Sequence, residues 1–172
     1  MTDETQRAAF EALFRAHYDG LLRFANRYVR SRAEAEELVH DVLLQVWIRR
    51  DDLGPMDELK TYLFRATYNR SLNHLRRRKI ERLWKRSLPP EEPVAPASIS
   101  AEAMNSTEAA VRRAVDALPP RCREIFLLSR EDGLTYSGIA TTLGISIKTV
   151  ETQMGRALKA LRAALEDLRG ER

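Results

Sequence analysis

Lys148, Thr152, Gly155, Arg156 and Lys159 recur three or four residues apart, which on a helix places them on a single face. Glu151 and Gln153 flank it. Arginine and lysine bind phosphate, and Arg, Gln and Thr carry hydrogen-bonding groups that match base edges in a DNA groove. Gly155 fits the same chemistry, because a mid-helix glycine costs about 1 kcal/mol relative to alanine and lets a DNA backbone or base approach closely. A pair of packed helices with a solvated face would show much the same pattern.

Tyr62, Arg65, Asn69, Asn73 and Arg76 also share one helical face, and Arg77, Arg78 and Lys79 continue as a basic cluster. Stacking groups beside a cationic track are what unpaired bases require. The alternative is that Tyr62, Phe64 and Tyr68 are core aromatics and the cluster a solvated helix end. Catalytic chemistry has less support. His17, His40 and His74 are far apart, none has an HExxH-like metal spacing, and there is no glycine-rich phosphate loop. The single cysteine, Cys122, reads as a packed small residue near a helix start, with no disulfide and no thiolate cluster. The chain is thus expected not to be an enzyme: no catalytic residue, no metal site, no cofactor.

The elements that must hold the first face are two short helices and a turn. Thr135 can cap a helix whose Ile139, Ala140 and Leu143 lie on one side, and Gly144 stands where a left-handed residue would end it. Ser146 can cap the next helix, whose Val150, Met154, Ala157, Leu158, Leu161 and Leu165 form a buried stripe. A second helix with an exposed polar stripe behind a tight turn is the arrangement that enters a DNA major groove.

The 172 residues suit one ordinary domain or two small ones, and the net charge is +4. That charge is unevenly placed: 18 basic and 13 acidic residues in 1–87, three acidic residues in 88–107, and 11 basic and 9 acidic residues in 108–172. A polyanionic partner suits both ends, although so small a charge does not give tight binding alone. No apolar run approaches the length needed to cross a bilayer, and the start MTDETQRAAFEALF has no signal-peptide core, so the cytoplasm is the expected location.

Helical spacing of Phe10, Leu13, Phe14 and Tyr18 predicts a first helix that Asp19-Gly20 interrupts, and Leu21 to Val29 predicts a second. Ser31 should cap a third, through Arg50, with Leu38, Val42 (or Val39), Leu43, Val46 and Trp47 inward. Residues 51–57 contain Gly54-Pro55 and cannot be helical throughout, so they read as a loop, and an uninterrupted helix follows from Glu58 to about Arg86. Residues 88–107, rich in Pro, Ala and Ser, read as a flexible linker. Two short helices, around Val111–Leu118 and Arg121–Arg130, precede the helix-turn-helix. The fold class is therefore all-α: two small helical domains, 1–87 and 108–172, joined by the linker.

The order AEAEELVHDVLLQVWIRR (33–50), DELKTYLFRATYNRSLNHLRRRK (57–79), a linker, then ALPPRCREIFLLSREDGLTYSGIATTLGISIKTVETQMGRALKALR (117–162) resembles bacterial RNA polymerase sigma factors of the sigma-70 family, extracytoplasmic-function group. The resemblance implies a transcription initiation factor that binds core RNA polymerase, directs it to promoters and assists strand opening. It assigns 1–87 to region 2 and 108–172 to region 4. It places Glu37, His40, Asp41, Val42, Gln45 and Trp47 against the β′ clamp helices. Gly54, Met56, Tyr62, Arg65, Asn69, Asn73, Arg76 and Arg77 would meet the −10 element of promoter DNA. Lys148, Thr149, Thr152, Gln153, Gly155, Arg156 and Lys159 would meet the −35 element. The β flap and an anti-sigma factor complete the implied partners, with no direct membrane insertion. His40-Asp41 departs from the usual Gln-Glu of the family, and Gly155 stands where some members have a bulky residue, so the −35 sequence does not transfer from a relative. A stand-alone helix-turn-helix regulator is the rival reading, and would need a dimer interface or ligand pocket in 1–87.

Overall fold

A computed structural model describes residues 3–49, 56–85 and 106–170. Among them are seven helices and no strand, and the chain divides into two compact units, 1–96 and 97–172. The loop expected at 51–57 lies outside the described residues except for Met56 and Asp57, which open a helix. The expected linker also lies outside them, apart from Ser106 and Thr107.

In the first unit α1 (Asp3–Val29) packs on both α2 (Arg32–Ile48) and α3 (Met56–Lys85). The break expected at Asp19-Gly20 does not occur: α1 runs straight through it. Leu13, Leu21, Phe24, Ala25 and Val29 are all buried on one side of this single helix. Burying one Leu or Phe is worth about 1.5–3 kcal/mol, which outweighs the roughly 1 kcal/mol that a helical glycine costs. The helix ends instead at Arg30, in a left-handed conformation (φ 56°) whose N–H donates to Asn26 C=O at 3.0 Å. Ser31 then caps α2 as expected, its Oγ accepting from the Glu34 N–H at 3.4 Å.

Ala35, Val39, Val42, Leu43 and Val46 of α2 and Leu59, Leu63 and Phe64 of α3 are buried, and the two helices pack together. Leu38 and Trp47, expected inside, are half-buried. Phe24 centres an aromatic group with Phe64 and Tyr28, ring centroids 5.3 Å away in each case, and Tyr68 at 6.5 Å.

Burial, with Lys60 nearby, holds the His17 imidazole below its ordinary value of 6.5. The unfolded chain therefore takes up a proton that the fold resists, so this contribution to stability is complete above pH 6.5 and is lost as the pH falls below it. Urea unfolding followed by Trp fluorescence should show a lower midpoint at pH 5.5 than at 7.5. His17→Gln should flatten that dependence.

The second unit contains α4 (Ser106–Asp116), α5 (Pro120–Arg130), α6 (Tyr136–Leu143) and α7 (Ile147–Gly170), with α7 packed on the other three. Leu118, Cys122, Ala157 and Leu161 form one part of its core, and Ile125, Leu128, Ile139, Val150 and Met154 are also buried. Cys122 is the packed small residue its position suggested.

Candidate nucleic-acid and polymerase interfaces

Hydrogen bonds fix both ends of the turn before α7. Thr135 Oγ1 accepts from the Gly138 N–H at 3.0 Å and opens α6. Gly144 closes it at φ 66°, ψ 39°, a conformation that carries no Cβ penalty in glycine, and the Ile145 N–H reaches back to Ala140 C=O at 3.0 Å. One residue later Ser146 Oγ accepts from the Thr149 N–H at 3.1 Å and opens α7. With Val150, Met154, Ala157 and Leu161 buried, the orientation of α7 about its axis is set.

That orientation exposes Lys148, Thr152, Gly155, Arg156 and Lys159 together. The three cations enter no ion pair among the described residues, so their charge is available to a polyanion. Thr152 donates its hydroxyl proton to Lys148 C=O at 2.9 Å, which leaves an oxygen lone pair and a methyl group for a partner. A Cβ added at Gly155 would meet nothing within 4 Å, so no contact within the chain demands glycine there.

Thr149 and Gln153 are placed differently from the rest of their set. Thr149 is half-buried, its Oγ1 2.9 Å from Ser146 Oγ in the cap. Gln153 is half-buried too, with Oε1 accepting from Cys122 Sγ at 2.8 Å, so its two amide protons are what remains for an outside partner. Sequence reasoning missed Ile147, 47% exposed at the first position of α7. It lies seven residues before Met154, in register with the buried stripe, so its spacing alone gave no signal of its exposure.

On α3 the face named from sequence is exposed throughout: Tyr62, Arg65, Asn69, Asn73, Arg76 and Arg77. Phe64 and Tyr68 belong to the core cluster, so the aromatic residues divide between the two readings. Arg76 Nη1 donates to Asn73 Oδ1 at 3.2 Å, which turns the Asn73 amide protons outward from that bond. Gly54 lies outside the described residues, and Met56 is described only as the first residue of α3.

Two other arginines of α3 turn to α2. Arg70 pairs with Asp41 at 2.8 Å, and Arg78 with Glu34 at 3.1 Å. His74 Nε2 lies 3.2 Å from the same Glu34 oxygen but is not aligned for a hydrogen bond, so it adds an ion pair only when protonated. The basic cluster of the sequence is thus split. Arg78 is neutralised between helices, whereas Arg65, Arg77 and Lys79 make no ion pair among the described residues.

The outer side of α2 presents Glu37, His40, Asp41 and Gln45. Val42 does not belong with them: at 1% exposure it sits on the same inward stripe as Val39 and Val46 and has no surface to offer. Trp47 is half-buried against Phe10, centroids 4.9 Å apart. Phe10, Phe14, His40, Leu43 and Trp47 line a groove of about 460 Å³ between α1 and α2. Beside them Leu44 and Ile48 are 56% and 66% exposed, and neither was named from sequence. They are the apolar residues of α2 left over once its buried stripe is assigned, and solvent alone does not account for such a patch.

Among the described residues no cluster of His, Cys, Asp or Glu could hold a metal, and no helix is long and apolar enough to cross a membrane.

Comparison with known proteins gives this arrangement a family. Residues 13–80 match the family Sigma-70 region 2, and residues 108–161 match Sigma-70, region 4. The chain is 30% identical over 162 residues to an RNA polymerase sigma-E factor of Streptomyces avermitilis, covering 91% of this chain and 85% of that protein. It is 29% identical over 156 residues to the ferric citrate uptake sigma factor FecI of Escherichia coli, covering 90% of each. In fold it is similar to the sigma factor RpoE of Bartonella quintana, solved with the anti-sigma factor NepR, at a TM-score of 0.65 and 24% identity over 92% of this chain and 97% of that one. The chain belongs to the sigma-70 family of RNA polymerase sigma factors, in its extracytoplasmic-function group, and is a transcription initiation factor.

Proposed function

We propose that the two units divide promoter recognition, with catalysis left to the polymerase. Residues 1–87 bind core polymerase and meet the opened −10 element, 88–107 connect, and 108–172 read the −35 element as duplex. The observation that carries this reading is the pair of exposed, unneutralised faces on α3 and α7, each held by a separately packed helical unit.

On α7, Arg156 is assigned to base edges and Lys148 and Lys159 to phosphates, with Thr152 and Gly155 between them at the groove floor. Thr149 and Gln153 shape the helix start and contribute to DNA at most through the Gln153 amide protons. On α3, Tyr62, Asn69 and Asn73 offer stacking and base-edge hydrogen bonds to an unpaired base, and Arg65, Arg76 and Arg77 hold the strand. The outer side of α2, with Glu37, His40, Asp41 and Gln45 and now Leu44 and Ile48, is assigned to the β′ clamp helices. The second unit is assigned to the β flap. RpoE of B. quintana is solved with NepR, and CnrH with the cytosolic domain of CnrY, and by analogy an anti-sigma factor is a further partner. The chain works where polymerase works, in the cytoplasm.

Transcription in vitro tests the whole reading: core polymerase, this protein and fragmented genomic DNA, with transcript 5′ ends sequenced. Discrete starts that share two upstream motifs and vanish without the protein are expected. Failure to bind core at all would favour a stand-alone regulator.

Gly155→Ala separates the fold from the function. Its Cβ meets open space, so the variant should be more stable by about 0.5–1 kcal/mol in thermal unfolding. If a DNA backbone or base seats there, affinity for the −35 duplex should fall in the same protein. A gain in both would remove Gly155 from the reading face.

A further inference from the structure

His40, on the outer side of α2, is held by a residue that the sequence does not connect with it. Its ring lies over that of Tyr18 of α1, centroids 5.6 Å apart and planes 28° from parallel, and Tyr18 in turn stacks on Phe14 at 4.8 Å. The Tyr18 hydroxyl oxygen is 3.4 Å from His40 Nε2, so that nitrogen is engaged from within the chain. Tyr18 and Phe14 are half-buried, whereas His40 is exposed. Its other ring nitrogen, Nδ1, has no hydrogen-bond partner among the described residues.

A neutral imidazole carries a single N–H, and the bond made by one ring nitrogen decides which of the two holds the proton. With the phenol hydroxyl of Tyr18 donating to Nε2, the ring proton goes to Nδ1. The nitrogen left for an outside partner is then a donor. The charged groups around it do not supply one. Glu37, one helical turn earlier, is an acceptor, and Asp41 is held by Arg70 of α3 at 2.8 Å. Arg32 pairs with Glu36 at 2.9 Å on α2, and Arg15 with Glu11 at 3.9 Å on α1. Arg7 lines the groove beside His40, and Asp19 follows Tyr18 along α1.

We propose that Tyr18 is a positioning residue of the polymerase-binding surface: its hydroxyl holds His40 as the Nδ1–H tautomer, which donates to a hydrogen-bond acceptor on core polymerase. The inference rests on the assignment of the outer side of α2 to the β′ clamp helices. It also accounts for the departure at this position from the usual glutamine. A glutamine amide offers an N–H whatever its neighbours, whereas a neutral histidine offers one at Nδ1 in only one of its two tautomers. An imidazolium donates from both nitrogens, so the hydroxyl matters only while the ring is neutral. Histidine side chains take up their second ring proton between about pH 8 and pH 5, which makes the role of Tyr18 separable by pH.

The test measures affinity of the full chain for core polymerase, without DNA, at pH 7.5 and pH 5.5. Tyr18→Phe keeps the ring and its stacking and removes only the hydroxyl. At pH 7.5 it should weaken core binding about threefold to tenfold, the net worth of one hydrogen bond. At pH 5.5 it should bind as the wild type does at that pH. In a His40→Gln background the same change should cost nothing at either pH. Proton–nitrogen correlation spectra of the imidazole ring should show Nδ1–H in the wild type at pH 7.5 and a shift towards Nε2–H in Tyr18→Phe. An equal loss at both pH values, or a loss that persists beside His40→Gln, would mean that Tyr18 acts through packing alone and would overturn the proposal. An unchanged tautomer would overturn it too. Leu44→Ala/Ile48→Ala, measured in parallel, keeps the two readings apart. If that variant loses core binding and Tyr18→Phe does not, only the positioning role falls; if both bind as the wild type does, the assignment of α2 falls with it.

Discussion

Replacing Arg156 by alanine is expected to reduce transcription about tenfold to a hundredfold on promoters that carry the −35 motif, and to leave promoters without it nearly unchanged. The guanidinium is exposed on α7 and enters no ion pair among the described residues, so the wild-type side chain gives up no partner when it binds DNA. A bidentate contact to a base is worth about 1–3 kcal/mol of discrimination, which is the size of effect stated. The fold should tolerate the change, because the buried stripe of α7 runs through Val150, Met154, Ala157 and Leu161 on the other side. Arg156→Lys keeps the charge but loses the planar fork, so it should recover nonspecific affinity and little of the discrimination. Equal loss on both promoter classes would show that Arg156 acts as a general charge and not as a reader.

The sequence was legible where one local signal decides the outcome. Thr135, Gly144 and Ser146 cap and turn the helix-turn-helix as their side-chain chemistry implies, and Val150, Met154, Ala157 and Leu161 of the expected stripe are buried, although Leu158 is half-buried and Leu165, near the helix end, is exposed. It misled where tertiary packing competes with a local preference. Asp19-Gly20 is a turn signal by composition, yet Leu21 and Phe24 beyond it are fully buried, and that burial carries α1 through. Pairing between helices was also hidden. Nothing in the RRRK cluster distinguishes Arg78, which meets Glu34 of α2, from Arg77, which does not, since the partner lies 44 residues away along the chain. Val42 failed for a simpler reason: one residue cannot serve both the inward stripe and the outward surface of a single helix, and the structure puts it inward. Leu44 and Ile48 needed a three-dimensional core before their exposure could be noticed.

Asn69→Ala should separate binding of promoter duplex from its opening. Asn69 is exposed near the middle of the α3 face, one helical turn before Asn73, whose amide is oriented by Arg76. Duplex affinity in the proposed division of labour comes from α7 and from cations, and these are untouched by the substitution. Capture of an unpaired base is different, because extrusion costs a few kcal/mol that hydrogen bonds and stacking at the receiving face must offset. Removing a carboxamide that bonds such a base takes away about 1–3 kcal/mol, enough to lower the open fraction about tenfold or more where opening is nearly balanced. Permanganate reactivity of thymines in the −10 region reads that fraction directly. The expected result is reduced reactivity with unchanged retention of duplex by the holoenzyme. Neighbouring Arg70 supplies the contrast: it is held by Asp41 at 2.8 Å, so Arg70→Ala should act through the α2–α3 packing and lower thermal stability without a specific opening defect. If Asn69→Ala leaves reactivity at the wild-type level, the base-capturing role passes to Asn73 and Tyr62 on the same face, and the double variant Asn73→Ala/Tyr62→Ala would then have to show the loss for α3 to keep its assignment.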